Sequence, residues 1–242
     1  MHDKSGSWFD PQNWHIDDPH PELALVEISP HSARAWAALS RAKDRNIVRQ
    51  HLISIVGGID MMRGLEYHNA NFCRVVTELA SLPFLDPTAL ERRLFLVHET
   101  VAYVNRLGQF YYFASSELVS SAVPAWSDII PTIAKFKRVR DKHTAHRSLD
   151  VPRRDDDPFV QEMNAWSFSS LGGYMSFPKP GKTPPVSLSD FMDPHKAWTE
   201  YYPGFQLQGD GKRDTLFLSI ERDHPIFIDE AYELISAVLS QP

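Results

Sequence analysis

The 242-residue chain has one cysteine, Cys73. An internal disulfide and a thiolate-built metal site are therefore excluded. About 18 apolar residues never occur together, so no segment reads as a membrane span. The most apolar run, residues 52–62, is short and contains Gly57, Gly58 and Asp60. The N-terminus has no basic run followed by an apolar stretch, so no secretory signal is expected. Together with the lone cysteine this predicts a cytoplasmic location. No Gly-x-Ser-x-Gly element is present, and Gly209-Asp210-Gly211 lacks the Gly-Lys-Ser/Thr context of a phosphate loop and reads as a turn. Positive charge is in short supply. The 25 Lys and Arg against 31 Asp and Glu give a net −6, which excludes a wholesale polyanion binder. There is no internal repeat and no low-complexity tract. What remains is ordinary for a globular protein: 43% hydrophobic and 12% aromatic residues, enough for a substantial core.

The pattern predicts a mainly α protein. It is a helical bundle with a small antiparallel β-hairpin layer in its C-terminal third and a closing helix. Residues 1–28 read as an irregular arm carrying Trp8, Phe9, Trp14 and Ile16. Residues 29–150 read as the bundle, and residues 151–242 as the hairpin region and closing helix packed on it. Ser29-Pro30 is a cap followed by proline at the first helical position. A helix over 33–45 follows, and an apolar stripe with a period of 3.6 continues through Ile55, Ile59 and Met62. Gly57-Gly58 inside it marks either a kink or a close approach by another helix. Residues 70–79 read as a further helix. Asp86-Pro87 opens the next, expected to reach about Ser116 with Leu90, Leu94, Val97, Val101, Val104, Gly108 and Tyr111 on its buried stripe. After Pro124 an amphipathic helix is expected to run from Trp126 through Ile133, Phe136 and Val139 to about Asp150. Residues 166–169 with 174–177, and 205–208 with 215–220, read as two hairpins. A short helical piece is expected around 189–198, and a closing helix over 225–239 with Ile228, Ala231, Leu234, Ile235 and Val238 inward.

One segment departs from the acidic average. Residues 132–154 hold eight Lys/Arg and two acids, a local +6 on a body of −12. Such a field attracts an anion at one place, within about 8 Å at physiological salt. Inside it lie Arg140, Asp141, Lys142, His143 and His146. Arginine stays protonated and can grip a phosphate with a bidentate fork. Histidine titrates near neutrality and can take a proton from a hydroxyl or give one to a leaving oxygen. In a continuous helix six residues advance about 600°, so Arg140 and His146 would point about 120° apart and lie about 9 Å apart along the axis. Either the helix breaks near Thr144 or two copies meet.

The stretch from Arg140-Asp141 to His146 resembles the motif of the HEPN superfamily. In those all-helical domains an arginine, four to six residues and a histidine mark the active site, with Asn, Asp or His commonly following the arginine. The wording is most similar to branches found in bacterial toxin and phage-abortion systems. The resemblance covers seven motif residues and about 120 residues of helical context. It implies a helical homodimer with both motifs at its interface, metal-independent RNA cleavage and no cofactor. Carried over by position, Arg140, Asp141 and His146 are the catalytic candidates. Lys137, Arg138, Lys142, His143 and Arg147 form the basic rim that would hold RNA phosphates, with His143 also a second proton-transfer candidate.

Two other readings stay open. Basic residues at a helix C-terminus stabilise its dipole by about 0.3–1 kcal/mol each without catalysis. The bundle would then be a non-catalytic interaction protein with a protein or small-anion partner. Alternatively, inward histidines on separate helices (His68, His98, His146) would hold a metal, His143 and His146 having the i, i+3 spacing of bundle metal sites. The aromatic cluster Phe110–Phe113 reads first as packing and second as a base-stacking surface.

Overall fold

A computed structural model describes residues 30–42, 49–83, 85–139, 174–183, 194–208 and 215–241. Its elements are α1 (Pro30–Ala42), α2 (Arg49–Leu79), α3 (Pro87–Ala114), α4 (Glu117–Ala122), α5 (Trp126–Ile129), α6 (Pro131–Val139), β1 (Tyr174–Pro178), α7 (Pro194–Thr199), β2 (Tyr201–Gln208), β3 (Thr215–Leu218) and α8 (Ile220–Leu239). The protein is mainly helical. The N-terminal arm and the region 140–173 lie outside the described residues, as does the first strand expected at 166–169.

Two long antiparallel helices, α2 and α3, make the frame. α2 runs unbroken for 31 residues, joining what the sequence pattern divides into two. Gly57-Gly58 does not break it. A Cβ built on Gly58 would sit 2.6 Å from the Phe113 ring of α3, whereas Gly57 has open space around it. The close-approach reading of the glycine pair holds, and only one of the two glycines is needed for it. α3 begins where its signal places it: Asp86 caps the helix by accepting from the Thr88 N–H at 2.7 Å, with Pro87 in the first turn. It ends at Ser115, whose N–H donates to the Tyr111 carbonyl.

The buried stripe of α3 differs from the expected one. Of the expected residues Val104 and Gly108 are buried and Val97 and Tyr111 pack against the core, but Leu90 and Leu94 are exposed, and the core face also takes Ala89, Arg93, Leu96, Thr100, Tyr103, Leu107 and Phe110. In its first turns the buried face lies one position earlier and includes polar groups satisfied locally. Arg93 Nε donates to the Ala89 carbonyl at 3.2 Å and Thr100 Oγ1 to the Leu96 carbonyl at 2.8 Å.

The single helix expected from Trp126 onward is two. α5 ends at Ile130, whose φ of −118° and ψ of 48° are not helical, and α6 starts at Pro131. Proline disfavours a helical residue before it and has no N–H to continue the ladder. A further short helix, α4, begins at the Ser116 cap. The expected end near Asp150 lies outside the described residues.

α8 packs on α1, α2 and α6, and closes the bundle. Ile228, Ala231, Leu234, Ile235 and Val238 are all buried, as expected. The helix starts earlier than Pro225, which sits inside it. β1, β2 and β3 form an antiparallel sheet in that order. β2 pairs with β3, Phe205 opposite Leu218, where the second hairpin is expected. β1 pairs with β2, Phe177 opposite Tyr202; the partner expected for it, residues 166–169, lies outside the described residues. α7, Pro194–Thr199, falls at the end of the expected helical piece and packs against β2 and α2. Among the described residues no helix is long and apolar enough to cross a membrane.

Candidate functional site

The basic segment enters the structure as α6. The first turn of this helix is held by Glu230, a buried residue of α8. Its carboxylate accepts from the Thr132 N–H at 2.9 and 3.1 Å and from the Ile133 N–H at 2.9 Å. Those donors have no partner inside their own helix, and an anion there also meets the positive end of the dipole. Ile133 and Phe136 are buried, Phe136 edge-on to Phe227 at 5.3 Å. α6 is thus fixed at its N-terminal end, and its basic residues fall toward the other end.

Of the residues assigned from sequence, Lys137 is placed. Its ammonium lies 5.7 Å from the Tyr111 ring centroid and 5.6 Å from that of Tyr112, in cation–π range of both. Tyr111 also meets Trp126 edge-on at 5.4 Å, and Tyr112 is exposed. Arg138 belongs to the last turn of α6. Arg140, Asp141, Lys142, His143, His146 and Arg147 lie outside the described residues. The segment Phe110–Phe113 divides by residue: Phe110 and Phe113 are core, 5.4 Å apart, while Tyr111 and Tyr112 face the lysine.

The histidines considered as metal ligands are placed apart in role. His68 Nδ1 is 2.7 Å from Glu99 Oε2 on α3, and both side chains are largely buried. His98 is exposed. Among the described residues no group of three or more His, Cys, Asp or Glu side chains comes together as a metal site.

A second polar cluster was not singled out by sequence. It joins α1, α2, α3 and α8. Ser32 Oγ donates to Glu66 Oε2, and His31 Nε2 lies 3.3 Å from Asp229 Oδ1. Burial pushes the Glu66 carboxyl up, against the opposing pull of Ser32 and His31. Its Oε1 is buried and accepts from no described residue. Across the same layer Tyr103 Oη and His224 Nδ1 share a hydrogen bond of 2.9 Å. Burial, reinforced by His31, pushes the His224 imidazole down to about 4, and burial pushes the Tyr103 phenol well above its usual value. At neutral pH this layer therefore carries a neutral histidine and a neutral tyrosine, a hydrogen-bonded pin between α3 and α8. Its residues are scattered from His31 to Asp229, so no local motif announces them. Set against protein families, curated proteins and solved structures, the chain matches none of them.

Proposed function

We propose that the protein is an HEPN-like bundle that engages RNA at the C-terminal end of α6 and cleaves it without a metal, acting as a homodimer. The observation that carries the reading is the anchoring of α6. The helix is capped by Glu230 and buried through Ile133 and Phe136, so Lys137 and Arg138 come at its far end, and in the sequence Arg140 is the next residue after its last, Val139. Lys137 with Tyr111 and the exposed Tyr112 supports it, since a cation beside an aromatic ring suits a phosphate and its base.

In this reading a histidine, His146 of one copy, takes the proton of an RNA 2′-hydroxyl as that oxygen attacks the adjacent phosphorus. A 2′,3′-cyclic phosphate forms. The P–O5′ bond breaks, and the protonated His146 of the second copy gives its proton to the departing 5′-oxygen. Arg140 neutralises the charge building on the phosphate oxygens. Asp141 orients Arg140 or His146. Lys137, Arg138, Lys142, His143 and Arg147 hold neighbouring phosphates.

The test compares wild-type protein with His146→Ala and Arg140→Ala on a panel of RNAs, with chelator present. Wild-type cleavage leaving cyclic-phosphate ends, with a loss of at least about 100-fold in either variant, supports the reading. Equal nuclease background in all three proteins overturns it. That second outcome favours a non-catalytic interaction protein. Leu90 and Leu94, exposed one helical turn apart on α3 behind an exposed Leu85, favour the same alternative.

A further inference from the structure

Far from α6 in sequence, a cavity of about 300 Å³ opens where the end of α2 meets the sheet. Its α2 wall is one helical face: Cys73, Val76, Thr77 and Ala80 follow at i, i+3, i+4 and i+7. Trp198 and Thr199 of α7 contribute another side. The polar end is Lys179, just after β1, and Glu221, in the first turn of α8.

Lys179 is held firmly. It opens a turn with Pro180 second and Gly181 third, Gly181 having a φ of +80°. The Lys182 N–H donates to the Lys179 carbonyl at 2.9 Å, and these features define a type II turn. The Lys179 N–H also donates to the Glu200 carbonyl at 2.9 Å. The ammonium then donates to Glu221 Oε1 at 2.8 Å and lies 5.2 Å from the Tyr202 ring centroid. The other oxygen, Glu221 Oε2, is buried and accepts from no described residue. A buried carboxylate oxygen without a donor is costly, and a bound molecule that brings a donor to the Glu221 carboxylate would offset that cost.

Water alone fits poorly. The volume is on the order of ten waters, whereas Val76, Ala80 and Trp198 offer such waters few hydrogen bonds. The cavity lies at the small end of the range for small-molecule sites. Cys73 does not make it a covalent site. Its thiol faces Asn69 Oδ1 at 3.6 Å, and burial with the nearby Glu221 charge pushes it up to about 11, leaving almost no thiolate at neutral pH.

We propose that this cavity binds a free aliphatic amino acid as its zwitterion. The Lys179–Glu221 pair is neutral overall, so a lone amine or a lone carboxylate would leave net charge in a half-buried site. A zwitterion matches both groups. Its ammonium donates to the Glu221 carboxylate, which turns toward the cavity to receive it, its carboxylate accepts a second N–H of Lys179, and its side chain covers Val76, Ala80 and the Trp198 ring. The site is separate from the α6 end, and its test does not depend on ribonuclease activity.

The test is calorimetric titration of the full chain with L-leucine, with 3-methylbutylamine (the same body without the carboxylate) and with 4-methylpentanoate (without the amine). L-Leucine is expected to saturate in the millimolar range or below, with each single-charge analogue at least about tenfold weaker. Glu221→Gln and Lys179→Met are each expected to weaken L-leucine at least about tenfold, and Thr77→Trp, which fills the cavity from its exposed rim, to abolish binding. The comparison of three ligands on unmodified protein stands even if a variant fails to fold. No saturable binding of L-leucine up to about 50 mM, equal binding of either analogue, or binding unchanged in a folded Thr77→Trp variant overturns the proposal.

Discussion

Gly57 and Gly58 are neighbours in one helix and have opposite roles. Gly58 lets α3 approach α2, since a Cβ there meets the Phe113 ring at 2.6 Å. Gly58→Ala is expected to cost about 1–3 kcal/mol by overpacking. Gly57 meets nothing within 4 Å, so Gly57→Ala keeps only the helix-propensity gain, about 0.5–1 kcal/mol in the stabilising direction. Urea unfolding of the two variants checks both signs. The sequence posed this pair as a kink or a contact, and only the facing residue, Phe113 some 55 positions away, decides between them. His224 is the other residue with a measurable signature. The folded protein binds its proton only near pH 4, because burial and then His31 disfavour the charged ring, whereas the unfolded chain binds it near 6.5. As pH falls through that window the unfolded state takes up the proton first, so stability is lost. The loss is about 3 kcal/mol between pH 7 and 4. Glu66 acts oppositely: its raised pKa favours the fold when it is protonated, and that contribution fades as pH rises. A His224→Gln variant separates the two. Wild type is expected to lose about 3 kcal/mol more than the variant over that range in urea unfolding, and equal losses would place the dependence elsewhere.

At the scale of elements, boundaries are readable where the chain carries its own signal and no apolar pattern runs across it. Asp86-Pro87 states the start of α3 with a side-chain cap that needs no distant partner. Pro131 carries an equally local signal, a proline that restarts a helix, yet the apolar spacing of Ile129, Ile130, Ile133 and Phe136 runs straight across it and conceals the break. The phase of α3 was hidden for a different reason. Counting apolar residues puts Leu90 and Leu94 inward, but the buried face accepts Arg93, Glu99 and Thr100 because each has a hydrogen bond or ion pair to satisfy it. Glu230 is the least visible of these. It looks like a surface residue of α8, and it caps the start of α6 from another part of the chain. Glu230→Ala leaves the Thr132 and Ile133 N–H groups without that acceptor and is expected to cost about 1–3 kcal/mol. Hydrogen exchange should show the effect locally, with faster exchange at Thr132 and Ile133 and little change in α2. Uniform loss of protection across the bundle would mean that Glu230 supports the core rather than the start of α6.

For the whole molecule the consequential quantity is the distribution of charge. The net −6 combines a +6 segment with a −12 remainder, and α6 is the described part of that segment. The bundle anchors this helix by its N-terminus and leaves the basic residues at the other end, so an RNA strand bound there would meet the positive segment while the acidic body repels the rest of it. The sequence proposes a place for the candidate site, the segment that follows α6, because charge and motif are local in sequence; residues 140–147 lie outside the described residues. It does not show what supports α6, because Glu230, Phe227 and Tyr111 reach α6 from elements distant along the chain. This arrangement predicts a particular salt response. If Lys137, Arg138, Lys142 and Arg147 contact phosphates, binding of a short single-stranded RNA to the His146→Ala protein should weaken steeply with salt, with a log–log slope of about −3. Lys137→Gln should lower that slope by about 0.7 and weaken all sequences alike. Glu230→Gln should leave the slope unchanged, since its charge lies at the opposite end of α6. A slope near zero would mean that the positive segment holds no RNA backbone and serves only to stabilise its own helix end.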